Sequence, residues 1–361
     1  MNKKLLAVAV ASAIAAPMAA SADSSLTVYG GVGVAVESID IDTADALAVN
    51  NNHSALGFEG STDVNSSLAA VFHWDAFVNI DNAGGDGSLI GGGRDGWAGL
   101  RGSFGTVALG FQGRPWKTLS HALDPFEGTI ADYSSVLGNS SGGSNFAGGQ
   151  GFDTGVGNSI IWFGPNLNGF TWHAQYGAED SDNGANNYGV QGNYSNDRFL
   201  VGLSYDLNED TTNGANTDDL TAIKLVGSVN FGAATITGAY EQLDGIGFDS
   251  NADRDAIWLA GSYDFGHGSV RLSYSLADEV NNDDNGADQI SVGYFGKLSD
   301  NATWYALYSQ ISNDDNGAYG FVSAPHTSSI DSSLSNQSVV AGNDSRAIGL
   351  GIKYNFAADL I

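Results

Sequence analysis

The sequence has no cysteine, only five prolines, and thirteen lysines and arginines against forty-one aspartates and glutamates. Each scarcity excludes something. Without cysteine there is no disulfide framework, so an exported chain needs another source of stability, and a closed hydrogen-bonded barrel is one. The shortage of basic residues rules against nucleic acid or an anionic membrane surface as partner, because both are held by basic patches. Beyond residue 22 no segment carries eighteen uninterrupted apolar residues, which excludes a helical membrane span. Rare proline, with glycine at 50 residues and no collagen triplet, suits long strands whose ladders cannot spare a donor.

The chain opens with a targeting segment over residues 1–22. Lys3 and Lys4 supply the positive start, Leu5 to Ala16 the apolar stretch, and Ala20-Ser21-Ala22 the cleavage site. Export through a cleaved signal peptide is expected, with the mature chain, 23–361, beginning at Asp23. Without Lys3 and Lys4 the formal charge moves from −28 to −30, 11 basic against 41 acidic residues.

What the mature chain has in quantity is alternation. Leu26, Val28, Val32, Val34 and Val36 share one parity; Thr27, Tyr29, Gly31, Gly33 and Glu37 take the other. Side chains alternate across a strand, so one face is apolar and one small or polar. Leu68 to Ile80 repeats the pattern, as do Phe199 to Leu207, Val270 to Leu276 and Ile348 to Phe356, where Gly349, Gly351, Lys353 and Asn355 lie opposite. The apolar faces are long enough to cross a bilayer, since a tilted strand needs about nine to eleven residues. Connections alternate between tight turns, such as Asn166 to Gly169 and Phe265 to Gly268, and long acidic loops, such as Asn208 to Asp219 and Ser312 to Asp344. Short turns on one side and long loops on the other describe a transmembrane antiparallel β-barrel, an all-β fold. The rhythm gives about sixteen strands, enough to enclose an aqueous channel.

One stretch breaks the rhythm. Phe111 to Gly157 is not a strand: it holds Arg114, Pro115, Trp116, Lys117, Asp124, Pro125, Phe126, Glu127, Asp132 and Tyr133, then a glycine and serine tract. A connection this long inside a compact domain is read as functional, here a loop (112–157) folded into the lumen.

Short anchors carry a resemblance. Val28-Tyr29-Gly30, Leu56-Gly57-Phe58-Glu59-Gly60, Ala98-Gly99-Leu100-Arg101-Gly102-Ser103-Phe104-Gly105, Leu109-Gly110-Phe111-Gln112 and Asn158-Ser159 before Trp162-Phe163-Gly164 occur in order and spacing. In this order the chain resembles the trimeric, sixteen-stranded general porins of the Gram-negative outer membrane. The resemblance implies an outer-membrane location, a homotrimer, and an inward third loop whose acids face bases on the wall. Asp124-Pro125-Phe126-Glu127-Gly128 is similar to the family's acidic loop element with Phe and Glu exchanged, and Arg94, three residues before Trp97, matches the wall arginine. Departures stand at Ala55, Glu59, Gly157 and Gly31, where the family places basic residues. With the basic wall depleted, and Arg114 and Lys117 compensating in part, the pore lined by Asp124, Glu127, Asp132, Arg94, Arg114, Lys117 and Glu59 is expected to prefer cations. Ions and small hydrophilic solutes would pass down their gradients. The partners implied are a homotrimer, outer-membrane lipid and those solutes.

Other signals are weaker. Asn-Gly-Ala recurs at 183–185, 213–215, 285–287 and 316–318, read as reused turn chemistry, because Asn-Gly accepts positive φ. Asn281 to Gly286 and Asn313 to Gly317 crowd oxygen ligands without the glutamate that completes a calcium loop, so surface divalent cations are a minor expectation and no cofactor is expected. The six histidines show no metal-ligand spacing. His267 and Ser269 on one strand face do not make a lipase without a third orienting group, and Gly91-Gly92-Gly93 lacks the βαβ unit of a phosphate loop. Trp and Tyr at strand ends are read as interfacial anchors over a sugar path. The alternatives to a general channel are a channel specific for an oligosaccharide or other solute and an exported all-β adhesin or carbohydrate-binding protein; an enzyme is not expected. The five residues after Phe356 depart from the aromatic end usual in the family.

Overall fold

The computed structural model describes residues 24–81, 90–138, 152–178, 186–209, 218–246, 249–281, 283–321 and 339–360. The expected signal segment, the tract from residue 139 to 151 and the Asn-Gly-Ala copies at 183–185 and 213–215 lie outside them. Alternation makes strands: β1 (Ser25–Asp40), β2 (Asp45–Asn51), β3 (Ala55–Asn65), β4 (Leu68–Val78), β5 (Ile90–Gly102) and β6 (Gly105–Gly113) come first. After the break follow β7 (Gly155–Phe163), β8 (Phe170–Gly177), β9 (Asn187–Ser195), β10 (Phe199–Asn208), β11 (Leu220–Asn230) and β12 (Ala234–Asp244). The last are β13 (Asp253–Asp264), β14 (Gly268–Ala277), β15 (Ala287–Lys297), β16 (Ala302–Asn313) and β17 (Ser345–Asp359).

All pair antiparallel with their neighbours, and β1 closes on β17 from Thr27↔Asp359 to Asp40↔Arg346. β2 and β3 both pair with β1, in successive registers. They are one stave interrupted at Asn52-His53-Ser54, where His53 takes φ 61°, so seventeen segments make a sixteen-stranded barrel. Closure leaves no unpaired edge, which is how this cysteine-free chain satisfies its backbone in a membrane.

The apolar parity faces out. Leu203, Leu259, Leu272, Ile348 and Leu350 are all more than half exposed, as lipid contact demands. Near the short turns the outward rings pair, Phe170 with Trp172, Tyr263 with Phe265 and Tyr294 with Trp304 at 5.7, 4.9 and 5.4 Å, giving one interfacial girdle. Toward the long loops, outward tyrosines snorkel: Tyr240 donates to Asp255 at 2.9 Å and Tyr188 to Glu209 at 3.2 Å. The predicted tight turns occur where expected, with Gly232 and Gly266 at φ 91° and 89°.

One reading is corrected. The described Asn-Gly-Ala copies are not positive-φ turns; the left-handed residues there are Asn281 and Asp284. Asn285 instead accepts from Val280 N–H at 2.7 Å, and Asn316 donates to Asp283 O at 2.7 Å, so side-chain bonds fold these loops against each other. The residues beyond Phe356 lengthen the last strand: Ala357, Ala358 and Asp359 continue β17 against Tyr29, Val28 and Thr27, and Thr27 Oγ1 donates to Asp359 at 2.8 Å. Truncation after Phe356 is therefore expected to lower the temperature at which the detergent-folded barrel loses its compact mobility on a gel; an unchanged temperature would show that these pairs do not contribute to closure.

Candidate functional site

The break in the pattern folds inward. Pro115 opens a short helix, α1 (Pro115–His121), with its missing N–H and preset φ suited to that position. Arg114 offers no side-chain cap. Asp206 on β10 accepts the Trp116 N–H at 3.0 Å in its place, so the wall caps the helix. After α1 the loop turns on two carboxylates. Asp124 accepts from Phe126 N–H and Tyr133 N–H at 2.9 and 3.1 Å, and Asp132 from Gly128 N–H and Ser134 N–H at 3.1 and 3.0 Å.

One face of the loop is an apolar plate. Trp116, Phe126, Tyr133, Val136, Leu137 and Phe152 are completely buried. Tyr133 packs at a tilt against Trp258 of β13 at 4.8 Å and Phe126 meets Phe295 of β15 at 5.9 Å. Burying each such side chain is worth about 1.5–3 kcal/mol, so the plate dominates the docking. Polar tethers set its place. Lys224 of β11 lies 3.0 Å from the centre of the Trp116 ring and donates to Ser120 Oγ at 2.5 Å. Glu241 of β12 accepts from Gly138 N–H at 3.1 Å and pairs with Arg254 of β13, which also donates to Tyr319 Oη at 2.9 Å.

The other face meets water and the opposite wall. Glu127 is about one-third exposed and its carboxylate is 3.0 Å from His121 Nδ1. Lys353 of β17 donates to the Glu127 carbonyl at 2.5 Å, and Arg271 of β14 to the Pro125 carbonyl. Across from them Arg94 donates to His53 Nε2 at 2.5 Å and lies 3.9 Å from Asp75. An extra residue in β5 between Gly93 and Gly96, opposite Trp74 and Ala76, is a bulge that re-aims Arg94 into the lumen against simple alternation. Lys117 pairs with Asp153 at 3.8 Å, and Glu59 lies 3.7 Å from His73.

Of the seven residues expected to line the passage, Glu59, Glu127, Arg94 and Lys117 keep partly exposed side chains. The other three do not face it. Asp124, Asp132 and Arg114 are 6%, 1% and 5% exposed. The two acids hold the loop's own backbone, and Arg114 ties the loop base to Asn208 and Asn187 at 2.6 and 2.9 Å. Burial, with Asp132 beside it, pushes the Asp124 carboxyl well above the usual carboxylate range. The depleted basic wall is corrected too: Arg271 and Lys353 bring cations from β14 and β17, far along the sequence from the anchors that suggested depletion, although Lys353 pairs across to Gly33 of β1. Their signal was available, since each stands at inward parity between Val270 and Leu272 or Ile352 and Tyr354.

Burial alone would lower the His121 pKa, but Glu127 outweighs it and holds the imidazole above its ordinary value. The same pair, with Lys353 and Arg94 near, holds Glu127 below the usual range against its own burial. A raised histidine pKa means the ion pair is present at low pH and lost as pH rises through the folded value. Lys117, Asp132 and His53 also face this ring. Cation permeability relative to chloride is expected to rise as pH passes above the ordinary histidine range near ~6.5, when Glu127 loses its imidazolium partner. His121→Gln should flatten that dependence; an equal pH response in the variant would assign it elsewhere.

The His267–Ser269 pair is not assembled for chemistry, because Ser269 Oγ accepts from Arg271 at 3.2 Å and His267 packs by Phe265 at the turn. Inside the barrel Tyr29, His73, Trp97, Phe163 and His173 form a row with centroids 5.7, 5.4, 5.5 and 4.8 Å apart.

A closed sixteen-stranded barrel with a charged loop docked in its lumen defines a transmembrane pore. A model of the Gram-negative porin family matches residues 7–316, and the chain belongs to that family. It is an outer-membrane protein. Outer membrane porin protein 32 of Delftia acidovorans is 29% identical over 256 residues, covering 67% of this chain and 70% of that protein. Major outer membrane protein P.IA of Neisseria meningitidis serogroup B is 31% identical over 164 residues, 38% of this chain and 40% of that one. Among solved structures, an anion-selective porin from Comamonas acidovorans superposes with TM-score 0.78 at 24% identity, covering 92% of this chain and all of that one. The trimer form of OmpT from Vibrio cholerae superposes with TM-score 0.64 at 17% identity, covering 92% and 99%.

Proposed function

We propose that the chain forms a passive diffusion channel for ions and small hydrophilic solutes, not an enzyme, with a cation preference arising at its acidic mouth. The carrying observation is the distribution of charge along the axis. At the long-loop rim Asp244, Asp253, Asp278, Glu279, Asp284 and Asp314 are exposed. Seven of the eleven basic residues after residue 22 belong to the inner wall or the loop, three stand by the short turns, and Arg346 alone remains at that rim. A mouth of one sign with low-dielectric walls concentrates cations. The narrow zone is instead mixed, Glu59, Glu127 and Asp75 against Arg94, Lys117, Lys353 and Arg271.

A second reading, anion preference, is favoured by the convergence of Arg94, Arg271 and Lys353 around the loop tip and by the selectivity named for the Comamonas porin. Non-specific passage is preferred to a sugar path because the inward rings turn their faces to one another, which leaves edges and not faces for a pyranose. A homotrimer is proposed as well, in line with the trimer form of the Vibrio protein. Purified protein in a planar bilayer is expected to give ohmic steps that no sugar blocks saturably. Saturable block by one solute would favour a specific channel, and absence of steps from folded protein would remove the channel reading.

A further inference from the structure

We propose that His73, Asp75 and Asp95 form a binding site for a divalent transition-metal ion of zinc type on the wall facing the loop. His73 and Asp75 are two apart on β4 and so share the lumenal face. Asp95 joins them from β5, beyond the bulge that also re-aims Arg94. One imidazole nitrogen and one oxygen from each carboxylate lie within 4.8 Å of one another. Ligands at about 2.0–2.2 Å from a single ion require only a modest further closure. Linear spacing hides this set, because its third member arrives through strand pairing.

The donors are held. The His73 ring is sandwiched between Tyr29 and Trp97 at 5.7 and 5.4 Å, and Tyr29 Oη lies 3.1 Å from its Nε2. Asp75 accepts the Asp95 N–H at 2.8 Å through one oxygen, and Asp95 accepts the Gly113 N–H at 2.7 Å through one of its own. Each carboxylate keeps a second oxygen, so the backbone bonds act as an outer shell that orients the ligands.

Charge is the independent argument. Glu59, 3.7 Å from His73, adds a third carboxylate around the imidazole. The facing cation is Arg94, which stands 3.9 Å from Asp75 while donating to His53 and lying over the Phe77 ring. Lys117 is drawn to Asp153. Three carboxylates against one guanidinium match a dication. The imidazole decides which one: mixed nitrogen and oxygen donors suit zinc and its transition-metal neighbours, whereas calcium takes six to eight oxygens. The exposed Glu279, Asp284 and Asp314 also converge within 4.8 Å, but they offer oxygen alone.

The test is calorimetry of the detergent-folded full protein with zinc chloride, with calcium chloride as comparison, independent of any current. Micromolar zinc binding with no matching calcium signal is expected. His73→Phe, which keeps a ring in the stack, and Asp75→Asn should each weaken it at least tenfold, while both retain the compact gel mobility of a folded barrel. If Asp75→Asn does not fold, His73→Phe decides alone. Absence of zinc binding tighter than millimolar, or an affinity unchanged in His73→Phe, would overturn the proposal, as would loss of binding in Glu279→Gln instead. In bilayers bound zinc should lower potassium current and EDTA restore it; a current that zinc leaves unchanged would overturn the placement of the site on the passage wall, whereas absence of any current with calorimetric binding intact would count against the channel reading and not against the site.

Discussion

Replacing Glu241 by glutamine is expected to raise single-channel conductance and make the open level noisy. Glu241 and Arg254 are both fully buried, and between them they hold Gly138 N–H, the Val136 carbonyl and Tyr319 Oη, which ties the inward loop to the segment above it. Removing the carboxylate leaves a buried guanidinium without its counter-charge, a loss of about 3–5 kcal/mol for such pairs. Strand pairing closes the barrel independently of this contact, so the loss falls on the loop, where the stretch at Val136 to Gly138 lifts from the wall and widens the passage. A Glu241→Gln, Arg254→Met double variant should regain much of the wild-type conductance, because replacing both members of a buried pair with apolar groups is often nearly neutral. Wild-type steps from the single variant would show that the apolar plate alone positions the loop.

Ionic strength should change selectivity strongly. Rim carboxylates act through water, and the Debye length falls from about 10 Å at 0.1 M to about 3 Å at 1 M salt. Glu127, Lys353, Arg94 and Arg271 act at contact distance in the narrow zone, where screening is weaker. The potassium-to-chloride permeability ratio is therefore expected to fall several-fold across that range, toward the weaker preference of the mixed constriction. A ratio that does not vary with salt would place the selectivity in the narrow zone and remove the role given to the mouth.

The barrel was legible because a lumenal and a lipid face impose period-two patterning that each strand repeats, and because the stretch read as Phe111 to Gly157 breaks it, although its first and last three residues belong to β6 and β7. The narrow zone was legible only in part, for definite reasons. Whether an aspartate lines a pore or holds its own loop depends on where its oxygens point; Asp124 and Glu127 are three residues apart with opposite fates, and nothing in composition separates them. Arg94 reaches the lumen through a bulge that alternation does not announce. Arg271 and Lys353 did carry a signal, inward parity, which a reading centred on local anchors passed over. Likewise the break at Asn52 to Ser54 splits one stave without a proline or glycine to mark it.

The zero-current potential across a potassium chloride gradient in dilute salt, about 0.1 M on the higher side where screening still reaches about 10 Å, tests the central claim most directly. A sign corresponding to potassium preference is predicted. A chloride-selective potential in that dilute regime would contradict it, because there the acidic mouth acts at its longest range and would have been overruled by Arg94, Arg271 and Lys353.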